Sequence, residues 1–220
     1  MDHRDASAVP GPGGLRLRRW REEDLPALLE AYEDPAMRRW LATQVSGADG
    51  AAGWLEAQRR GWATGTRFAF AVTERVTGAR QEGGPVGAPL GNIVLKRPDP
   101  RNDRAEVGYW TTAAARGRGV ASRALTALTD WAFAEFAEFA EFAEQGLTRL
   151  ELLHQVDNEA SCRVAEKCGY ALARVIPALP PDYPLDGHVH VREAPPVALS
   201  RPAGRRAEAA GTGGGRASGR

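Results

Sequence analysis

Apolar and basic residues alternate through LRLRRW (15–20), the period-two pattern of a strand with one face buried. Behind the acids of EED, Leu25, Leu28, Leu29 and Tyr32 recur at helical spacing, so EEDLPALLEAYEDPAMRRWL (22–41) reads as a helix. Trp54, Leu55, Gln58 and Trp62 mark a second helix, which Asp49 is placed to cap. FAFAVTE (68–74) and LGNIVLKR (90–97) read as a hairpin whose long connection is the Gly- and Pro-rich GARQEGGPVGAP (78–89). EVGYWTT (106–112) is the next strand, a helix starts near Val120, and LTRLELLHQV (147–156) returns to strand. Asn158 opens a further helix with Ala160, Val164, Ala165 and Cys168 on one face; Gly169 stops it and YALARV (170–175) starts a strand. HVHVREAPPVALS (188–200) is the last candidate strand, and its two prolines make it the weakest.

The helix after Val120 runs into FAEFAEFAEFAE (133–144), a tandem triplet. A period of three drifts about 60° backwards per repeat, so the four rings sweep roughly 180° of the helix surface and cannot share one core. The simpler reading is an expansion that lengthens the helix, ahead of a partner-binding face. An exposed aromatic patch of this kind could support a homodimer.

With 220 residues and 43% hydrophobic content, the chain can bury one sizeable core, expected over residues 15–200. The segments 1–14 and 201–220 lack periodicity and are expected to be disordered. The last twenty residues hold five Arg and one Glu, so the rest of a chain of net charge +1 is mildly acidic. That disfavours a nucleic-acid partner. No apolar run has membrane-spanning length and no signal peptide opens the chain, so a cytoplasmic protein with no membrane partner is expected. Cys162 and Cys168 point about 240° apart on one helix, too divergent to bridge or share a metal, and read as buried small residues.

The stretch AAARGRGVASRAL (113–125) sets two glycines among arginines between a strand and a helix. Such a loop offers unpaired backbone N–H groups at the positive end of a helix dipole, an anion site suited to phosphate. A nucleotide P-loop would need Lys-Ser/Thr after Gly119, where Val120 and Ala121 stand. The dinucleotide fingerprint would put glycine at Ser122 and an acid earlier than Asp157. An ordinary turn with no ligand stays open as the plain alternative.

Arg116, Gly117, Arg118, Gly119, Val120 and Ala121 together resemble the R/Q-x-x-G-x-G/A loop of the GNAT N-acetyltransferases. AEVGYWTT is similar to that family's fourth strand, and NEASCRVAEKCGY to the N-x-x-S-x-x-x-x-E-K-x-G-F/Y segment of its Rim-type branch, which acetylates ribosomal-protein N-termini. The likeness covers roughly 15–176 and departs at DGHVHV (186–191), which lacks the acid such relatives often carry there. It implies an α/β (α+β) fold with a central mixed, mostly antiparallel sheet flanked by helices, and acetyl-CoA as cosubstrate. It also implies backbone amides of Arg116, Gly117, Arg118, Gly119, Ala121 and Ser122 on the pyrophosphate. The strand backbone at Trp110, Thr111 and Thr112, with Asn158, would hold the pantetheine arm.

Acetyl transfer to an amine needs a neutral amine, a polarised carbonyl and a proton for the departing thiolate. By the resemblance, Glu106 is the candidate base and Ser161 the candidate acid. The plainer readings are a solvated strand residue and a helix first-turn residue. Tyr170 reads as a core ring and His154 as packed. His188 and His190 alternate on one face without a third ligand, so no metal is expected. The amine implied is a protein N-terminus; alternatives are a small-molecule amine (antibiotic, polyamine or amino-acid analogue) or a non-catalytic CoA-binding module.

Overall fold

In the computed structural model, residues 8–41, 43–74, 87–137 and 146–196 are described. Eight strands form one sheet: β1 (Val9–Pro10), β2 (Leu15–Arg19), β3 (Arg67–Glu74), β4 (Gly91–Lys96), β5 (Arg104–Thr111), β6 (Arg149–Gln155), β7 (Ala171–Ile176) and β8 (Gly187–Glu193). Their order is β1-β2-β3-β4-β5-β6-β8-β7, and every neighbouring pair is antiparallel except β5–β6. The helices are α1 (Leu25–Glu33), α2 (Pro35–Trp40), α3 (Gly47–Thr64), α4 (Val120–Ala137) and α5 (Glu159–Lys167). This is the mixed, mostly antiparallel arrangement that the element order implied.

Strand alternation sorts the apolar residues onto two faces. Phe68, Phe70 and Val72 of β3, Ile93 and Leu95 of β4 and Val107 of β5 meet Leu125, Leu128 and Ala132 of α4 in one core. On the other face the small Ala69 and Ala71 let α3 approach, and Ala51 and Leu55 pack there with Trp20, Leu28, Val94 and Trp110. Fully burying each Leu or Phe contributes roughly 1.5–3 kcal/mol, so the two cores hold the sheet between its helical layers.

A parallel pair needs a crossover, and α4 supplies it between β5 and β6. The carboxyl end of β5 thus feeds α4 and that of β6 feeds α5, which brings two helix N-termini to one end of the sheet. There the sheet parts. The β5–β6 register runs only from Arg104↔Arg149 to Val107↔Leu152, while β5 stays paired with β4 to Thr111 and β6 with β8 to Gln155.

Three expectations change, and the weakest one holds. The helix over 22–41 is two helices, because Pro35 cannot continue α1; Asp34 turns extended, and its Oδ1 accepts the Ala36 amide at 2.9 Å to start α2. Ser46, not Asp49, takes the cap position of α3, and Asp49 lies inside its first turn. Residues 9–10 belong to the sheet, so order begins before Leu15. The proline-bearing last segment does form a strand, β8, which sits between β6 and β7; Pro195 and Pro196 fall beyond its end. Much of the 78–89 connection, the repeat beyond Ala137 and the whole of 201–220 lie outside the described residues, whereas Phe133 and Phe136 are buried.

One buried ion pair ties β2 to the turn before α1: Arg18 Nη1 and Nη2 donate to Asp24 Oδ2 and Oδ1 at 2.6 and 2.7 Å, with both side chains 5% exposed or less. Asp24→Ala is expected to destabilise the fold by about 3–5 kcal/mol in denaturant titration, because it strands a buried guanidinium. Arg18→Met combined with Asp24→Leu should recover most of that loss; a double variant as weak as the single would contradict the account.

Candidate active site

The glycine-arginine loop occupies the start of α4. Thr112 leads into a short 3-10 turn (Ala113–Ala115), and Gly117 and Gly119 then adopt φ of +71° and +69°. A Cβ at either position would meet nothing within 4 Å, so glycine is needed there for the left-handed backbone rather than for space. This conformation brings the loop's amides together with the opening amides of α4, which lack intrahelical acceptors. Ala121 is half-buried and Ser122 buried, its carbonyl accepting from Thr126 Oγ1 at 3.0 Å and Cys168 Sγ at 3.3 Å.

The arginine side chains are engaged elsewhere. Arg116 Nη2 donates to Asp34 Oδ2 at 2.5 Å, and Arg118 Nη2 to both carboxylate oxygens of Glu74 at 3.0 Å. The Ala36 amide and then the Arg116 guanidinium hold the Asp34 carboxyl below its ordinary range. These pairs are partly exposed and individually weak, yet they fix the loop from α2 on one side and β3 on the other. The anion donors left are backbone amides.

Beyond Val107, the edge of β5 facing β6 has no strand partner. Trp110 lies on this stretch with its ring in the second core, 5.9 Å from Trp20 and 6.0 Å from Tyr32, and Thr112 donates its amide to the Leu90 carbonyl at 2.9 Å. The Trp110 carbonyl lies against Gly91 of β4, so by strand alternation it is Tyr109 and Thr111 that turn their backbone groups to the gap, and the backbone of Trp110 does not. Asn158 caps α5, its Oδ1 accepting the Ser161 amide at 3.2 Å. The capping leaves the Ser161 hydroxyl free to face β5, where it accepts from Tyr109 Oη at 3.2 Å.

The sequence reading did not single out Tyr109, whose signal is a place just past the end of the parallel pairing. Burial pushes its phenol up to about 12, against a smaller opposing effect of the Ser161 hydrogen bond, so it stays protonated and donates at neutral pH. Glu106 stands elsewhere. It shares its face of β5 with Trp110, opposite Tyr109, and forms a half-exposed cross-strand ion pair with its register partner Lys96. The structure joins Asn158, Ser161 and the open edge of β5 and keeps Glu106 on the other side of the sheet. Tyr170 is a core ring as expected, hydrogen-bonded to Thr129 at 2.6 Å. A cavity lined by Arg19, Trp20, Leu55, Gln58 and Trp62 opens against α3 and shares no residue with this site.

The sequence profile of the acetyltransferase (GNAT) domain matches residues 14–171. The chain belongs to the GNAT family. It is an N-acetyltransferase of that fold. No curated protein sequence matches the chain significantly. Among solved structures it is similar to a GNAT acetyltransferase from Bacillus anthracis (18% identity, 84% of this chain and 98% of that one, TM-score 0.67). It is similar too to RimL, a ribosomal L7/L12 α-N-protein acetyltransferase in complex with coenzyme A (18%, 84% and 97%, TM-score 0.64). A third is MccE, a microcin C7 self-immunity acetyltransferase in complex with acetyl-CoA and AMP (16%, 86% and 100%, TM-score 0.66). At such identities the neighbours establish the GNAT fold. Among the described residues no helix is long and apolar enough to cross a membrane.

Tyr109 gives a direct check. Its folded pKa of about 12 lies above the ordinary 10, so the stability it contributes is whole below pH 10 and drains as pH rises towards 12. Tyrosinate absorbance of the wild type minus that of Tyr109→Phe is expected to show a transition near pH 12; one near pH 10 would contradict the buried setting.

Proposed function

We propose that this N-acetyltransferase transfers acetyl from acetyl-CoA to a protein N-terminal α-amine, directly and without an acylated side chain. The observation that carries the reading is the Tyr109–Ser161 hydrogen bond across the gap between β5 and β6. The coenzyme supplies a thioester carbonyl and a thiolate leaving group. Amides of Gly117, Arg118, Gly119, Ala121 and Ser122 suit its pyrophosphate. The β5 edge beyond Val107, where Tyr109 and Thr111 face the gap, suits its amide-bearing arm together with Asn158.

Ser161 Oγ–H gives its proton to the leaving sulfur and regains one from solvent, while Tyr109 orients the serine oxygen through the hydrogen bond it already donates. The proton count closes: the amine sheds one as the N–C bond forms, and the sulfur takes one as the C–S bond breaks. Glu106, on the opposite face, receives the amine's proton through water once its contact with Lys96 relaxes. An α-amine with pKa about 7.7–8.0 is already partly neutral near pH 7, so little is asked of this base. Acid and base thus work from opposite faces of the sheet, with the gap between them.

The match of NEASCRVAEKCGY to the Rim-type segment and the fold shared with RimL support a protein N-terminus in the cytoplasm as substrate. The equal fold likeness to MccE keeps a small-molecule amine as the second reading. Thiol release from acetyl-CoA with an unblocked peptide, its Nα-blocked counterpart and a panel of polyamines and aminoglycosides separates the two. Acetylation of the unblocked peptide alone is expected, and turnover confined to small amines would overturn the substrate assignment. Ser161→Ala should lower kcat by about 10²-fold or more with KM for acetyl-CoA nearly unchanged. A variant as fast as the wild type would remove Ser161 from proton transfer.

A further inference from the structure

Three of the chain's four histidines and one of its two cysteines converge beside α5. One ligand atom from each of His154, Cys162, His188 and His190 lies within 4.8 Å of every other. The third and fourth ligands missing from the sequence reading of His188 and His190 are His154 at the end of β6, brought in by the β6–β8 pairing, and Cys162 in the first turn of α5. Cys162 Sγ stands 3.2 Å from His188 Nδ1 and 3.7 Å from His190 Nε2. A tetrahedral ion with ordinary zinc–sulfur and zinc–nitrogen bonds would hold such atoms about 3.5 Å apart.

The surroundings already fix two of the rings. A carbonyl only accepts, so the contacts of His190 Nδ1 with the Tyr170 carbonyl (3.2 Å) and of His154 Nδ1 with the Gln155 carbonyl (2.8 Å) put the protons on Nδ1 and the lone pairs on Nε2. This is the outer-shell arrangement that orients metal-binding histidines. Among the described residues His154 Nε2 is buried with no hydrogen-bond partner, a cost that a cation would remove. His190 is buried, while His154, Cys162 and His188 are half-buried and leave a way in for an ion.

We propose that His154, Cys162, His188 and His190 form a tetrahedral site for a divalent ion of borderline softness, zinc(II) foremost. Three neutral imidazoles and one thiolate are donors suited to that class. Binding releases one proton, from the Cys162 thiol to solvent, as the metal–sulfur bond forms. The ion joins α5 to β6 and β8. That helix buries only Ala165 among its own residues, yet it carries Ser161, so the ion steadies the helix on which the proposed chemistry stands.

Cobalt(II) titration of metal-stripped full-length protein tests the site independently of activity. One equivalent per chain is expected, with the visible bands of tetrahedral cobalt and a thiolate-to-cobalt charge-transfer band, both displaced by zinc. Cys162→Ser should abolish the charge-transfer band. His188→Ala should weaken zinc binding by more than the about 10- to 100-fold that loss of an outer-shell partner costs, and His3→Ala should leave it unchanged. Zinc should raise the melting temperature of the wild type but not of the double variant Cys162→Ser, His188→Ala, whose fold is checked by circular dichroism of the stripped forms. Absence of tetrahedral cobalt bands from the folded wild type, or zinc affinity equal in wild type and double variant, would overturn the proposal.

Discussion

Strands β5 and β6 pair only from Arg104↔Arg149 to Val107↔Leu152, although each continues for three or four residues beside its other neighbour. Beyond that point a row of backbone groups on β5 faces a gap instead of a strand. Buried or half-buried peptide groups need partners, and an extended ligand bearing amides can supply them as another strand would. Because α4 and α5 both start from this end of the sheet, the gap is also where two helix N-termini converge. The open strand edge and the placing of Ser161 across from it both follow from that one interruption.

The two faces of the sheet then take different tasks. Tyr109 and Ser161 meet on the side of α4 and α5, buried enough to keep a phenol protonated. Glu106 sits on the side of α1 to α3, half-exposed and paired with Lys96. The loop that opens α4 is held from outside its own element by Asp34 and Glu74, so its glycines can take left-handed conformations without leaving the loop loose. Rigid placement of a ligand's charged end lowers the entropic cost of reacting at its far end.

Local patterns made much of this legible. Alternation in LRLRRW and FAFAVTE gave strands, and two glycines between strand and helix gave the turn that opens α4, because each depends on a few adjacent residues. Contacts made by pairing distant strands were not legible. The place of Tyr109 was hidden because nothing in EVGYWTT tells where its parallel neighbour stops, and His188 with His190 lacked ligands because those lie at 154, joined through the β6–β8 register, and at 162 on α5. The partners of the loop's arginine side chains were not legible either, because Asp34 and Glu74 are distant in sequence and meet Arg116 and Arg118 only in space. Pro35 was legible in principle: its ring forbids one continuous helix over 22–41, and helical spacing on either side hid the break.

The interrupted β5–β6 pairing is tested most directly by amide hydrogen exchange with and without acetyl-CoA. Gap-facing amides of residues 108–111 and those of residues 117–122 are expected to exchange fast in the free protein and to become protected together when the coenzyme is added, while residues 104–107 stay protected throughout. Protection of 108–111 already complete in the free protein, or unchanged by saturating coenzyme, would contradict the account.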